Sequence, residues 1–147
     1  ASVIISNPIL MKKYRKVLDA LHIELGNVFG NVASEAAYTS GDEWLEQLLD
    51  YIDGNIQTLI EFSGKHLPQL KVIRPEATYM AWLDFTATGM NDKQLKKFLI
   101  EKAGLGLNEG TQFGPGGAGY MRINLACPRA TLLKALEQLK TAFGRKN

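Results

Sequence analysis

Hydrophobic and polar positions change period once along the chain, near residue 65. Ahead of that point apolar residues recur mainly at helical spacing. Asn7-Pro8 reads as an N-cap followed by proline at the first helical position, and Leu10, Tyr14, Val17, Leu18 and Leu21 form an apolar stripe. Gly26-Asn27 is the predicted stop. An alanine-rich stretch from about Val32 to Tyr38 predicts a second helix, and Ser40-Gly41-Asp42-Glu43 has the Ser-x-x-Glu form of a capping box. The long helix it opens keeps Trp44, Leu45, Leu48, Leu49, Ile52, Ile56, Leu59 and Ile60 on one side for about five turns. A helix that long suits a bridge between two lobes. The exception to helical spacing is the start, where Ser2 to Ser6 is a β-branched apolar run of the kind buried on both faces of a parallel sheet. Such a strand needs a sheet, so a larger domain is expected upstream, with the start of the protein missing.

Beyond Gly64 to Pro68 the pattern alternates. Val72-Ile73 predicts a short strand, and Tyr79, Ala81, Leu83 and Phe85 alternate with Met80, Trp82 and Asp84 as in a half-buried strand. Asn91, with Gln94 three residues on, caps a helix running to about Ala103 that Gly104 ends. Leu105 to Leu107 is a candidate short strand, Asn108 to Gly119 a glycine-rich connecting loop, and Tyr120 to Ala126 a strand. A last helix begins near Pro128, turns Leu132, Leu136, Leu139 and Phe143 inward and stops at Gly144. This half predicts an α+β arrangement, a small sheet with helices on one face.

Composition narrows the class. At 147 residues, 46% apolar and 22% charged, the chain is long enough for one core of moderate size. Its 17 basic and 15 acidic residues are interspersed, giving a net charge of +2 and no field that would draw in nucleic acid or an anionic membrane. One cysteine, Cys127, excludes an internal disulfide, and His22 and His66 do not make a cluster at metal-ligand spacing. No apolar run of about 18 residues and no basic region followed by an apolar core is present, so neither a spanning helix nor a secretion signal is read. A cytoplasmic setting is the expectation.

Gly114-Pro115-Gly116-Gly117-Ala118-Gly119 has the letters of a dinucleotide-binding turn, but that turn works by leading a strand into a helix N-terminus, and here a strand follows instead. A flexible connecting loop is the better reading. Arg122, mid-strand between Met121 and Ile123, is more informative. Its planar fork suits a carboxylate held by two parallel hydrogen bonds, as in an amino-acid substrate; the alternative is a structural arginine paired with Asp84 or Glu109. His22, His66 and Cys127 read as packing or surface residues, and Lys12-Lys13, Lys96-Lys97 and Lys140 as solvated helix faces rather than a desolvated Schiff-base lysine.

Four stretches carry a family resemblance: Asn27 to Gly41 with Trp44-Leu45, Pro75 to Phe85 (PEATYMAWLDF), Leu107 to Gly114 (LNEGTQFG) and Gly119 to Arg129 (GYMRINLACPR). Together they resemble the C-terminal part of the class I/II aminotransferase superfamily of fold type I pyridoxal-phosphate enzymes, in its cystathionine β-lyase-like (C–S lyase) branch. The resemblance implies a small C-terminal domain over residues 65–147, a long linking helix over 41–64, and an end of the large cofactor-binding domain plus interdomain segment over 1–40. It implies a homodimer, pyridoxal 5'-phosphate in the complete protein, and a cofactor lysine lying upstream of this chain, which would then bind no cofactor and be inert alone. By the same resemblance Arg122 corresponds to the arginine that grips the substrate α-carboxylate. Phe113 and Gly114 lie on the loop beside it, and Asn27, Phe29 and Asn31 fall in a segment that approaches the neighbouring subunit's active site. The implied activity is elimination of a thiol from a sulfur-containing amino acid, with transamination as the alternative. A stand-alone interaction module of this fold is the alternative from another class.

Overall fold

The computed structural model describes residues 3–23 and 26–144. The chain divides into two units, Ala1–Glu46 and Gln47–Asn147.

The first unit holds α1 (Pro8–Leu21), α2 (Val28–Ser40) and the first residues of α3 (Asp42–His66). Asn7 caps α1 as predicted, its Oδ1 accepting the backbone N–H groups of Ile9 at 2.9 Å and Leu10 at 3.2 Å. The helix stops earlier than expected, because His22 takes a left-handed backbone (φ 52°) that turns its own N–H back onto the Asp19 carbonyl. Asn27, read as part of a stop, instead begins α2 by the same capping chemistry, accepting from Phe29 at 2.9 Å and Gly30 at 3.3 Å. The capping box expected at Ser40 does not form. Ser40 is the last residue of α2, and its hydroxyl donates to the Ala36 carbonyl at 3.0 Å. Gly41 joins α2 to α3 alone: its N–H donates to Ala37, its carbonyl accepts from Leu45, and a Cβ there would meet the Ala37 oxygen at 2.4 Å. The strand expected over Ser2 to Ser6 is not found in Val3 to Ser6, which form no regular element, and Ser2 lies outside the described residues. An isolated strand leaves its backbone groups without ladder partners.

The second unit places α3 from Gln47 onward, α4 (Asp92–Glu101) and α5 (Arg129–Gly144) over a four-stranded antiparallel sheet of order β1-β2-β4-β3. The strands are β1 (Lys71–Ile73), β2 (Met80–Asp84), β3 (Asn108–Glu109) and β4 (Tyr120–Asn124). Period-2 alternation sends Ala81, Leu83, Met121 and Ile123 inward, where they join Ile56, Leu59, Leu95, Leu99, Leu132, Leu136 and Leu139 in one core. Each such leucine contributes about 1.5–3 kcal/mol on burial. The long helix is apolar along one stripe, yet only its second half is buried: Ile52, Ile56 and Leu59 are inside, whereas Trp44, Leu45 and Leu49 are exposed. The Asn91–Gln94 capping box of α4 is complete in both directions, and Gly104 (φ 66°) closes the helix by letting the Leu105 N–H reach the Leu99 carbonyl. The short strand expected at Leu105 to Leu107 falls instead at Asn108–Glu109, where pairing with β4 is available.

Candidate active site

The outward face of the sheet carries the side chains that alternation denies to the core. Register aligns one row across it: Ile73 opposite Trp82, Trp82 opposite Arg122, and Arg122 opposite Asn108. Arg122 therefore stands in the middle of the sheet on the face away from the helices.

Its nearest neighbours are an aromatic ring and an amide. Neither carboxylate named as a structural partner pairs with it. Glu109 lies opposite Met121, hence on the other face, and binds the Lys96 Nζ at 2.5 Å. Asp84 shares the face but accepts the Thr86 hydroxyl at 2.6 Å and the Thr86 N–H at 2.9 Å. The guanidinium instead lies over the Phe113 ring, Cζ to centroid 4.2 Å, with one long contact of 3.5 Å from Nη2 to the Asn108 Oδ1. Its Nε is shielded from solvent and has no partner among the described residues. Trp82 meets the Phe113 ring edge-on, centroids 5.4 Å apart at 82°. An arginine held by rings keeps its charge uncompensated and its donors available to an incoming anion.

The glycine-rich segment is folded rather than slack. It makes two 3-10 turns, Gly110–Phe113 and Pro115–Gly117, whose backbones touch: a Cβ on Gly117 would sit 2.1 Å from the Gly110 carbonyl oxygen. Gly110 and Gly117 serve this contact, and the segment leads into β4 and not into a helix. Gly119 (φ 77°) anchors the loop's end, its N–H donating to the Asp92 Oδ1 at 2.8 Å and its carbonyl accepting from Phe85 at 2.9 Å. Phe113 is thereby presented beside Arg122, with Gly114 next to it. Between this loop and the sheet is a cavity of about 400 Å³ lined by Ile73, Trp82, Phe113, Tyr120 and the loop glycines.

Of the sequence-predicted site residues, Arg122, Phe113 and Gly114 are brought together in the second unit. Asn27, Phe29 and Asn31 are placed at the start of α2 in the first, with Phe29 85% exposed. Trp82, Asn108 and Tyr120 were not singled out as site residues in the sequence. The signal for Trp82 was its phase, since a tryptophan alternating with Ala81 and Leu83 must face away from the core.

The remaining candidates are structural. His66 ends α3 against the Phe62 ring, centroids 4.7 Å apart. Cys127 is partly buried, and its carbonyl, with that of Leu125, accepts from the buried Asn55 amide at 2.9 Å each. Among the described residues no lysine is buried, and no group of histidine, cysteine and carboxylate side chains could hold a metal.

No protein-family model matches the chain. Among curated proteins it is 41% identical over 117 residues to the cystathionine beta-lyase PatB of Bacillus subtilis (strain 168), covering 80% of this chain and 30% of that protein. Among solved structures it superposes on a pyridoxal-phosphate-bound protein of Clostridium difficile 630 (TM-score 0.93, 40% identity, 96% of this chain and 36% of that one). It also superposes on cystalysin of Treponema denticola, which contains the same cofactor (TM-score 0.90, 35% identity, 95% and 36%). The chain thus spans about a third of the length of the proteins it matches.

Proposed function

Since the chain has the sequence and the fold of the C-terminal part of fold type I pyridoxal-phosphate enzymes of the cystathionine β-lyase-like branch, we propose that the complete protein is a C–S β-lyase of sulfur-containing amino acids. In this reading Arg122 grips the substrate α-carboxylate. The observation that carries it is the state of that guanidinium: mid-sheet, stacked on Phe113, with no carboxylate upon it among the described residues. Two parallel N–H donors would fix both the position and the plane of the carboxylate, and so the direction of the bonds at the α-carbon. Phe113 keeps water from one face of the fork.

Pyridoxal phosphate supplies the electron sink for α-proton loss and departure of the thiol. The described residues do not fit as its holder, because every lysine among them is at least partly solvated, and Lys96 on α4 is engaged with Glu109. The cofactor would be held by residues outside this chain, which by itself would be inert. In the same reading residues 1–40 belong with the large domain, 41–64 link the domains and 65–147 form the small domain. The exposed Val28, Phe29, Val32 and Tyr38 of α2 support a contact with the second subunit of a homodimer, to which Asn27 and Asn31 would belong. No described helix is long and apolar enough to cross a membrane, and a cytoplasmic setting is part of the proposal.

The test is steady-state kinetics of the complete protein on cystathionine, with and without Arg122→Ala. Release of thiol, pyruvate and ammonia supports the lyase reading; keto-acid exchange without thiol release would make the protein an aminotransferase. Arg122→Ala should lower kcat/KM at least about tenfold to a hundredfold, since each charged hydrogen bond lost is worth roughly 1.5–3 kcal/mol, while the cofactor's absorbance is unchanged. Unaltered kinetics would remove Arg122 from the site. A complete protein with no cofactor absorbance would favour an interaction module.

A further inference from the structure

The cavity beside Arg122 has a composition that the carboxylate alone does not require. It holds about 400 Å³, within the range of roughly 300–1,000 Å³ typical of small-molecule sites. None of the residues that line it is charged. Its floor is the outward face of the sheet, where Ile73, Trp82 and Tyr120 stand in place of the polar residues expected on a solvated face. Its wall is the loop of residues 110–117, which presents Phe113, Pro115 and the backbone of four glycines. The mutual contact of Gly110 and Gly117 holds that wall in place. Phe113 belongs to both features, stacking on Arg122 and facing the cavity, and Trp82 touches Phe113 from the same side. A charged fork and an apolar slot therefore adjoin across one ring.

We propose that this cavity is the subsite for the remote end of the ligand, and that the end it takes is a flat apolar group such as an aryl ring. The proposal rests on the reading of Arg122 as the carboxylate anchor and specifies the class of substrate: an amino acid whose side chain ends in an aromatic or comparably large apolar group, in preference to a short one. The rings of Trp82, Phe113 and Tyr120 complement such a group by offset or edge-on stacking, and the glycines of the wall leave room for its thickness.

Gly116 supplies the test. A Cβ there meets nothing within 4 Å and its backbone is not left-handed, so Gly116→Leu adds a bulky side chain at a position lining the cavity without strain. Binding to this chain is followed by NMR at the Trp82 indole N–H, assigned with Trp82→Phe, using propionate, 3-phenylpropionate and benzyl alcohol as probes. The phenyl acid should bind at least about tenfold more tightly than propionate, and Gly116→Leu should bring it down to propionate's affinity. Ile73→Trp, which narrows the cavity from the floor, should do the same and serves if the loop variant does not fold. Equal affinities of the two acids in the unmodified chain, or a preference that survives both filling variants, would overturn the proposal. Benzyl alcohol tests the cavity without the carboxylate: it should shift Trp82 in Arg122→Ala as in the unmodified chain, and absence of any shift counts against the subsite. Propionate binding that persists in Arg122→Ala would instead defeat the anchor reading, so the two failures are distinct.

Discussion

The Arg122 guanidinium and the Phe113 ring are stacked, Cζ to centroid 4.2 Å, although the two residues come from a strand and from a turn that precedes it. The contact stands where an ion pair would be expected for an arginine in a sheet. It fixes the plane of the fork without neutralising it. Phe113→Ala should therefore weaken carboxylate binding about threefold to tenfold, in line with a cation–π contact of roughly 0.5–1 kcal/mol plus the lost ordering of the fork, whereas Phe113→Tyr should retain it. Phe113 is 48% exposed, so the unfolding free energy should change by less than about 1 kcal/mol in either variant. Affinity and denaturation measured on the same samples separate the two effects. An equal loss in both variants would deny the ring a positioning role.

The loop that presents Phe113 makes a second prediction, from a contrast between glycines. Gly117→Ala would drive a methyl group to 2.1 Å from the Gly110 carbonyl oxygen, backbone against backbone, and the turns would have to open. Gly116→Ala, one residue earlier, meets nothing. The first should lower Tm by several degrees, at about 4–8 °C per kcal/mol for a domain of this size, and should also loosen Phe113; the second should leave Tm within a degree or raise it. Calorimetry of the two variants decides, and equal Tm values would show that the turns do not hold each other.

How much of this could be read in advance differs with the kind of information each element needs. The α4 cap was legible because Asn91 and Gln94 are three residues apart and satisfy each other without outside help. The same four-residue pattern at Ser40 misled, because the Ser40 hydroxyl had a competing acceptor in the preceding turn, the Ala36 carbonyl, and the previous helix had not yet ended. The stop of α1 at His22 was hidden for a related reason: a left-handed cap at a residue other than glycine leaves no mark in the sequence. Arg122 could be singled out from its strand position, but its freedom from Asp84 and Glu109 depended on register, which sends Glu109 to the opposite face. The phase of Trp82 gave its face, but its place beside the arginine and the cavity were hidden for the same reason, since only pairing of β2 with β4 sets that ring there.

The polar contact most important to the core lies at Asn55, wholly buried in α3. Its Nδ2 donates to the carbonyls of Leu125 and Cys127 at 2.9 Å each, and its Oδ1 accepts from the Arg129 Nε at 3.0 Å, so one amide ties the long helix to the connection between β4 and α5. Asn55→Leu keeps the branched shape of the side chain but strands two carbonyls and part of a guanidinium. Each stranded group costs about 1–3 kcal/mol, so a loss of roughly 3 kcal/mol or more in urea unfolding is expected. Because Leu125 directly follows β4, the variant should also disturb the Arg122 resonances in the folded state. A loss below about 1 kcal/mol would show that water replaces the amide.

The last prediction concerns pH and the row of residues next to Arg122, where Asp84 stands opposite Tyr120. The Thr86 hydroxyl, the largest influence, holds the Asp84 carboxyl below the ordinary carboxylate range, opposed by partial desolvation and assisted by the Thr86 N–H, Tyr120 and Lys71. In return the negative charge of Asp84, above all other causes, pushes the Tyr120 phenol above its ordinary value. The signs follow from which form is favoured on folding. For Asp84 the folded value is the lower one, so its stabilisation is fully present above about pH 4, the ordinary carboxylate value, and is lost as pH falls through the folded value. For Tyr120 the folded value is the higher one, so its contribution is present below about pH 10 and is lost as pH rises through the folded value. Asp84→Asn removes the charge that acts on the phenol. The ultraviolet titration of Tyr120, isolated by difference against Tyr120→Phe, should then move down toward the value of free tyrosine, and the acid-side loss of stability should diminish. An unmoved phenol titration in Asp84→Asn would mean that the two groups do not sense each other across β2 and β4.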